Sequence, residues 1–294
     1  MINTLRQTTW GWQVATYLFL AGAGGGVFLF SFFLNIMDRY LPVARIGSLA
    51  GPLLVLFGTI FLLTDLGNVN GSFQLFSSPS KVKKSWMARG VWILGAFIVV
   101  GLLYSVFVWL ESSNSMGAGL IIGIIAAILS IFVVAYPGFL LGNARGIPFW
   151  NTPTLPLLFF LSGLDTGISL LAVIALFFGG SINTAGFHLF GAGDIIFIVL
   201  VLILLGAYIE IARQSGITSA ISVRLLKTPL FIFGVLTFGL VIPLVLLIIS
   251  LFVADGTAIQ ILAGISAILI LFGALCLRYS IVKAGVPVAI YSAT

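Results

Sequence analysis

The sequence has little of what metal and redox sites are usually built from. Its 294 residues include one cysteine (Cys276), one histidine (His188), four methionines and seven acidic residues. Bis-histidine haem needs two helix-borne histidines per iron and iron–sulfur clusters need several thiolates, so this chain holds no haem and no iron–sulfur cluster by itself. Charge is scarce as well, with Asp, Glu, Lys and Arg making up 7% of the residues. The net charge of +6 therefore has no polar domain on which to form a nucleic-acid surface, and nucleic acid is excluded as a partner. Cys276 stands in an apolar segment and reads as an inert buried thiol, and His188 stands in a Gly-rich connection and reads as a surface imidazole.

What the chain has in abundance is apolar sequence: 61% of its residues are hydrophobic and the mean hydropathy is +1.28. Such a composition has no ordinary globular surface and defines an all-α integral membrane protein whose solvent is the lipid bilayer. Runs of about 20 apolar residues, enough to cross a hydrocarbon core of about 30 Å, predict eight transmembrane helices. They fall at about 13–37, 46–64, 88–110, 117–141, 155–178, 191–212, 229–253 and 257–277. Ala21-Gly22-Ala23 imitates a signal-peptidase site, but the apolar run continues past it, so the first span is read as a retained helix. The longest polar connection, 65–89, carries Lys81, Lys83 and Lys84 and suits docking or an interface. Alternate loops assign eleven of the thirteen Lys and Arg residues to one side and only Arg39 and Arg45 to the other. That asymmetry predicts cytoplasmic termini in a prokaryotic inner membrane.

Polar groups within apolar segments need a reason. The stretch 136–156 joins two spans and holds a Tyr136-Pro137 pair, Asn143, Arg145, Phe149, Trp150 and an Asn-Thr-Pro that can start a helix. Pro137 lacks a backbone donor, which frees a carbonyl near the Tyr136 phenol. Counting residues places Trp10, Gln13, Tyr17, Asp65, Tyr136, Asn143, Arg145 and Glu210 toward the cytoplasmic side. A quinone head needs an apolar slot, a hydrogen-bond donor for each carbonyl and a proton source, and phenols, indoles and a carboxylic acid supply these. Tyr and Trp at such depths are also ordinary belt residues. Asp65 is either a helix-end cap or a proton donor, and Glu210 either pairs with Arg213 or relays protons. Asp165 falls near the midplane among Ser162, Thr166 and Ser169, paired with them or on a proton path. Asp194 is expected to begin a helix, where a carboxylate suits the dipole. Gly22, Gly24, Gly25 and Gly26 leave the first helix nearly bare, either for close helix packing or for a flat ligand ring.

Three segments, WGWQVATYLFLAGAGGGVF at 10–28, LLTDLGN at 62–68 and YPGFLLGNARGIPFWNTPTLPLLFFLSG at 136–163, resemble the NrfD/PsrC family. These are quinone-interacting membrane subunits of polysulfide-reductase-like molybdopterin oxidoreductases. The resemblance implies two four-helix bundles, 1–150 with the quinone site and 151–294 behind it. It implies menaquinone or ubiquinone as cofactor, a ferredoxin-like iron–sulfur subunit docked at the quinone end, and a molybdopterin catalytic subunit beyond. Tyr136 matches the family's quinone-site tyrosine, and Trp10, Gln13, Tyr17, Asn143 and Arg145 fall around it. Where the polysulfide-reductase type has an Asn and a His on its first helix, this protein has Val14 and Tyr17. On this basis Asp65, Tyr136 and Glu210 transfer protons, and Asp165 extends a proton path. A secondary transporter, or a passive membrane anchor for an oxidoreductase, is the alternative.

The charge asymmetry makes a direct prediction. Single cysteines placed at Lys81 to Lys84 will react with an impermeant thiol reagent from the cytoplasmic side, and labelling from the outside would invert the topology.

Overall fold

The computed structural model describes residues 7, 10–65, 86–110, 117–144, 146–178 and 184–288, without the side chains of 63–65 and 87. The basic loop at 81–84, Arg145 and the Asp65 side chain thus lie outside the described residues. Among those described, every regular element is helical. Eight helices are long and apolar enough to cross a membrane, so the chain is a multi-pass membrane protein. They are α1 (Trp12–Ile36), α2 (Leu41–Asp65), α3 (Trp86–Leu110), α4 (Ala118–Gly142), α5 (Thr154–Phe178) and α6 (Thr184–Gln214). After these come a short α7 (Ile217–Leu226), then α8 (Leu230–Ser250) and α9 (Gly256–Ala284).

Three boundaries differ from the expected ones. The second span starts at Leu41, which puts Arg45 on the helix. The sixth starts at Thr184, because 184–193 has enough small and apolar residues to extend the helix through what looks like a Gly-rich loop. His188 is accordingly a half-buried helical residue, and Asp194 is an interior one rather than a helix starter. The ninth helix continues to Ala284 and takes Arg278 inside the fold, not into a loop. Cys276 is a free, buried thiol, as expected.

In a bilayer, lipid competes for apolar surface, so helices associate where backbones approach closely. α1 shows this on four sides. It packs against α2, α4, α5 and α9. A Cβ added at Gly24 would lie 2.7 Å from the Gly51 carbonyl of α2, and one at Gly25 would lie 2.6 Å from Val134 of α4. One at Gly26 would meet Gly163 and Gly167 of α5, and one at Gly22 would lie 2.8 Å from the Arg278 guanidinium of α9. Each bare face of α1 is therefore filled by protein, which is the packing reading of its glycines.

The first half of α8, Leu230–Val241, is π-helical. Gly234 and Gly239 weaken α preference there, and Pro243 has no N–H to give to the preceding turn. Thr237 Oγ1 donates to the Ile232 carbonyl five residues back, in keeping with the wider turn. Gly239 lies directly against Gly273 of α9.

Overpacking a tight core costs about 1–3 kcal/mol. Gly26→Ala is thus expected to lower the thermal unfolding midpoint in detergent, whereas Gly206→Ala, with nothing within 4 Å of its new methyl, will match or exceed the parent.

Candidate functional site

Tyr17 lies five residues into α1 and Tyr136 six residues before the end of α4, roughly 8–9 Å from the same end of the molecule at 1.5 Å per residue. Both are buried, at 0% and 3% exposure, and Tyr136 lies close enough to act electrostatically on the Tyr17 phenol. Glycines on the neighbouring helices make their space. Tyr17 rests on Gly58 of α2, and a Cβ at Gly90 of α3 would run into the ring of Tyr136. Pro137 sits within α4 without ending it. The Tyr17 hydroxyl is fully buried and has no hydrogen-bond partner among the described residues. An unpaired buried hydroxyl costs about 1–3 kcal/mol, so it is a donor in want of an acceptor.

The other expected site residues have different surroundings. Trp10 stacks on Trp150 at 5.1 Å, and Gln13 is half-buried on the first turn of α1. Asn143 is exposed and donates to the Phe139 carbonyl of its own helix. Glu210 is exposed on α6, where Gln214 Nε2 donates to it at 2.7 Å and Arg213 lies 3.9 Å away. The structure brings Tyr17 and Tyr136 together, and the Glu210 carboxylate has partners on its own helix. Among the described residues, no three His, Cys, Asp or Glu gather closely enough to hold a metal ion.

Below this end, a seam ties the molecule shut. Gln7 donates from Nε2 to the Val282 and Trp10 carbonyls and accepts from Trp10 N–H at 2.7 Å. Trp150 Nε1 donates to the Ile281 carbonyl at 3.0 Å, and Tyr208 Oη donates to the Phe149 carbonyl at 2.9 Å. The aromatic pair Phe149-Trp150 thus anchors the turn before α5 to α6 and α9. Nothing in sequence spacing points to these contacts, since their partners are backbone carbonyls far along the chain.

A second polar group lies deeper. Asp165 is 2% exposed, Asp194 1% and Arg278 1%. The Arg278 guanidinium donates from Nε to the Leu18 carbonyl and from Nη1 to Ser162 Oγ and the Ala274 carbonyl. It also lies 5.6–5.7 Å from the rings of Phe19 and Phe159, which helps to compensate a buried cation. The serine and threonine neighbours of Asp165 do not bond its carboxylate, contrary to the expected pairing. Thr166 and Ser169 donate to backbone carbonyls of their own helix, and Ser162 receives Arg278. Arg278 and Asp194 are legible in the sequence only as unusual polar letters in apolar text.

Fold and site together define a polytopic membrane protein with two buried phenols near one end and a buried charge group behind them. The protein belongs to the NrfD family: a family model described as "Polysulphide reductase, NrfD" matches residues 1–289. It is similar to the C chain of polysulfide reductase from Wolinella succinogenes, 30% identical over 316 residues that cover 97% of this sequence and 96% of the relative. It is also similar to protein NrfD of Escherichia coli K12, 27% identical over 194 residues, covering 57% of this sequence and 59% of that one.

Trp150→Phe will keep the ring but remove the bond to Ile281, leaving a buried carbonyl unpaired. A loss of about 1–3 kcal/mol is expected, read as a lower unfolding midpoint, with Trp12→Phe at an exposed position as the near-neutral control.

Proposed function

We propose that this protein is the quinone-reactive membrane subunit of an oxidoreductase complex. It exchanges electrons between the quinone pool, menaquinone or ubiquinone, and an iron–sulfur subunit docked at the end where α1 begins. A molybdopterin catalytic subunit lies beyond that partner. Family membership, and the naming of the Wolinella relative as one chain of a reductase, support a place in a multi-subunit enzyme. The observation that carries the quinone reading is the buried, unpartnered Tyr17 hydroxyl beside Tyr136.

The quinone supplies the redox chemistry, and the protein supplies position and protons. Tyr17 Oη and Tyr136 Oη would hold the head by donating to its oxygens, and Tyr136 Oη would pass the proton. Gly58 and Gly90 keep the rings of these tyrosines in place by having no side chains of their own. Asp65 ends α2 seven residues beyond Gly58, toward the same end of the molecule, and is proposed as the proton source from the aqueous side, with Asn143 and Arg145 at the docking surface. Glu210 is kept as a surface proton-collecting group, a role that fits its exposed position. Asp165 would extend the proton path inward. The termini are proposed to be cytoplasmic, and 1–150 and 151–294 to be the two four-helix halves.

A phenol that acts as general acid is typically worth 10²-fold or more, so Tyr136→Phe is expected to lower quinone turnover about 100-fold at unchanged stability. Tyr17→Phe will lower turnover about tenfold while leaving stability unchanged or raised, because it deletes an unpaired hydroxyl. Unchanged quinone kinetics in both variants, with the partner subunits still bound, would remove the two phenols from the reaction, and partner subunits that co-purify without quinone would leave the protein as a passive anchor.

A further inference from the structure

The buried charges in the second half of the sequence form a group of their own, apart from the two phenols. Asp165 sits eleven residues into α5, Asp194 ten residues into α6 and Arg278 six residues before the end of α9, so three helices deliver them to one interior region. Ser162, on the same face as Asp165, receives Arg278 Nη1 at 3.2 Å. Ser169, one turn further along α5, donates toward both the Asp165 carbonyl at 2.9 Å and Asp194 Oδ1 at 3.1 Å.

We propose that Asp165 and Asp194 hold one exchangeable proton between them, with Arg278 as their fixed counter-charge. Two independent features lead there. The first is charge. Among the described residues no other charged group acts on these three: Gly22 and the Leu18 carbonyl of α1 lie against Arg278, and Val235, Gly239 and Leu240 of the π-helical part of α8 line the space beside Asp165. One cation balances one carboxylate, and a second ionised carboxylate in the same low-dielectric region would be uncompensated. One proton makes the trio neutral.

The second feature is the serine. Ser169 has a single hydroxyl hydrogen and two oxygen neighbours, and the Asp165 carbonyl can only accept. Both contacts are hydrogen bonds at once when Asp194 carries the proton and donates it to Ser169 Oγ. Asp165 is then the ionised partner of Arg278. Its Oδ1 has no hydrogen-bond partner among the described residues, and its side chain lines a cavity of about 10 Å³, at the lower limit for one water molecule.

Transfer balances without any other reactant. The O–H bond on Asp194 breaks, an O–H bond forms on Asp165, and the sum of charges is unchanged. The proton stays opposite Arg278 throughout. Its use during turnover rests on the proposed function, but its presence does not.

Infrared spectroscopy of the full-length protein in lipid nanodiscs tests this without a quinone. At neutral pH the parent should show a carboxylic-acid C=O band that shifts in deuterated water. Asp165→Asn and Asp194→Asn should each abolish it, because the one remaining carboxylate then balances the charge of Arg278. Arg278→Gln should about double it. Absence of the band from the parent, or its survival in either single variant, would overturn the proposal. The parent measurement stands even if a variant fails to fold. Tyr17 and Tyr136 variants will keep the band whichever way their quinone kinetics come out, so the two proposals fail separately.

Discussion

The structure depends on a first helix whose central turns have almost no side chains. In water such a helix would gain little by folding inward, but in lipid the gain comes from close backbone contact. Gly22, Gly24, Gly25 and Gly26 let α2, α4, α5 and α9 approach α1 together. The apolar windows of α1 and α5 are 78% and 72% buried, against 28–50% for the other six spans, so these two helices form the interior. The remaining spans keep one face toward lipid, as their exposed Ile, Val and Phe residues show.

The same glycines connect the two polar regions. With no Cβ at Gly22, the Arg278 guanidinium can lie against α1 and donate to the Leu18 carbonyl, one residue from Tyr17. Glycine also makes room on the other side, where Gly58 and Gly90 receive the two buried phenols. Small residues thus serve as sockets for large polar ones, and the helix that carries one phenol is the helix on which the buried cation rests.

Much of this is legible in the sequence. Eight apolar runs give eight spans, because the length needed to cross a bilayer is set by its thickness. The shared depth of Tyr17 and Tyr136 follows from counting residues along two antiparallel helices. The interior position of Asp165 follows in the same way. Loops and helix extensions are not separable at 184–190, where small residues suit both, and this hides Asp194. Arg278 reads as a loop residue because a cation near a span end usually reaches water, whereas here backbone carbonyls, a serine and two rings surround it. The seam of Gln7, Trp10 and Trp150 is illegible for another reason: contacts between residues up to 275 apart leave no periodic trace.

That seam also orders events in time. The Val282 and Ile281 carbonyls, which receive Gln7 and Trp150, belong to α9 and are synthesised long after α1. At about 5–20 residues per second, the 275 residues between Gln7 and Val282 take roughly 15–55 s to make. Through that interval the start of α1 lacks its closing partners on α9. The end of the molecule that carries the phenols is therefore sealed only once α9 is made, although α1 is made well before it.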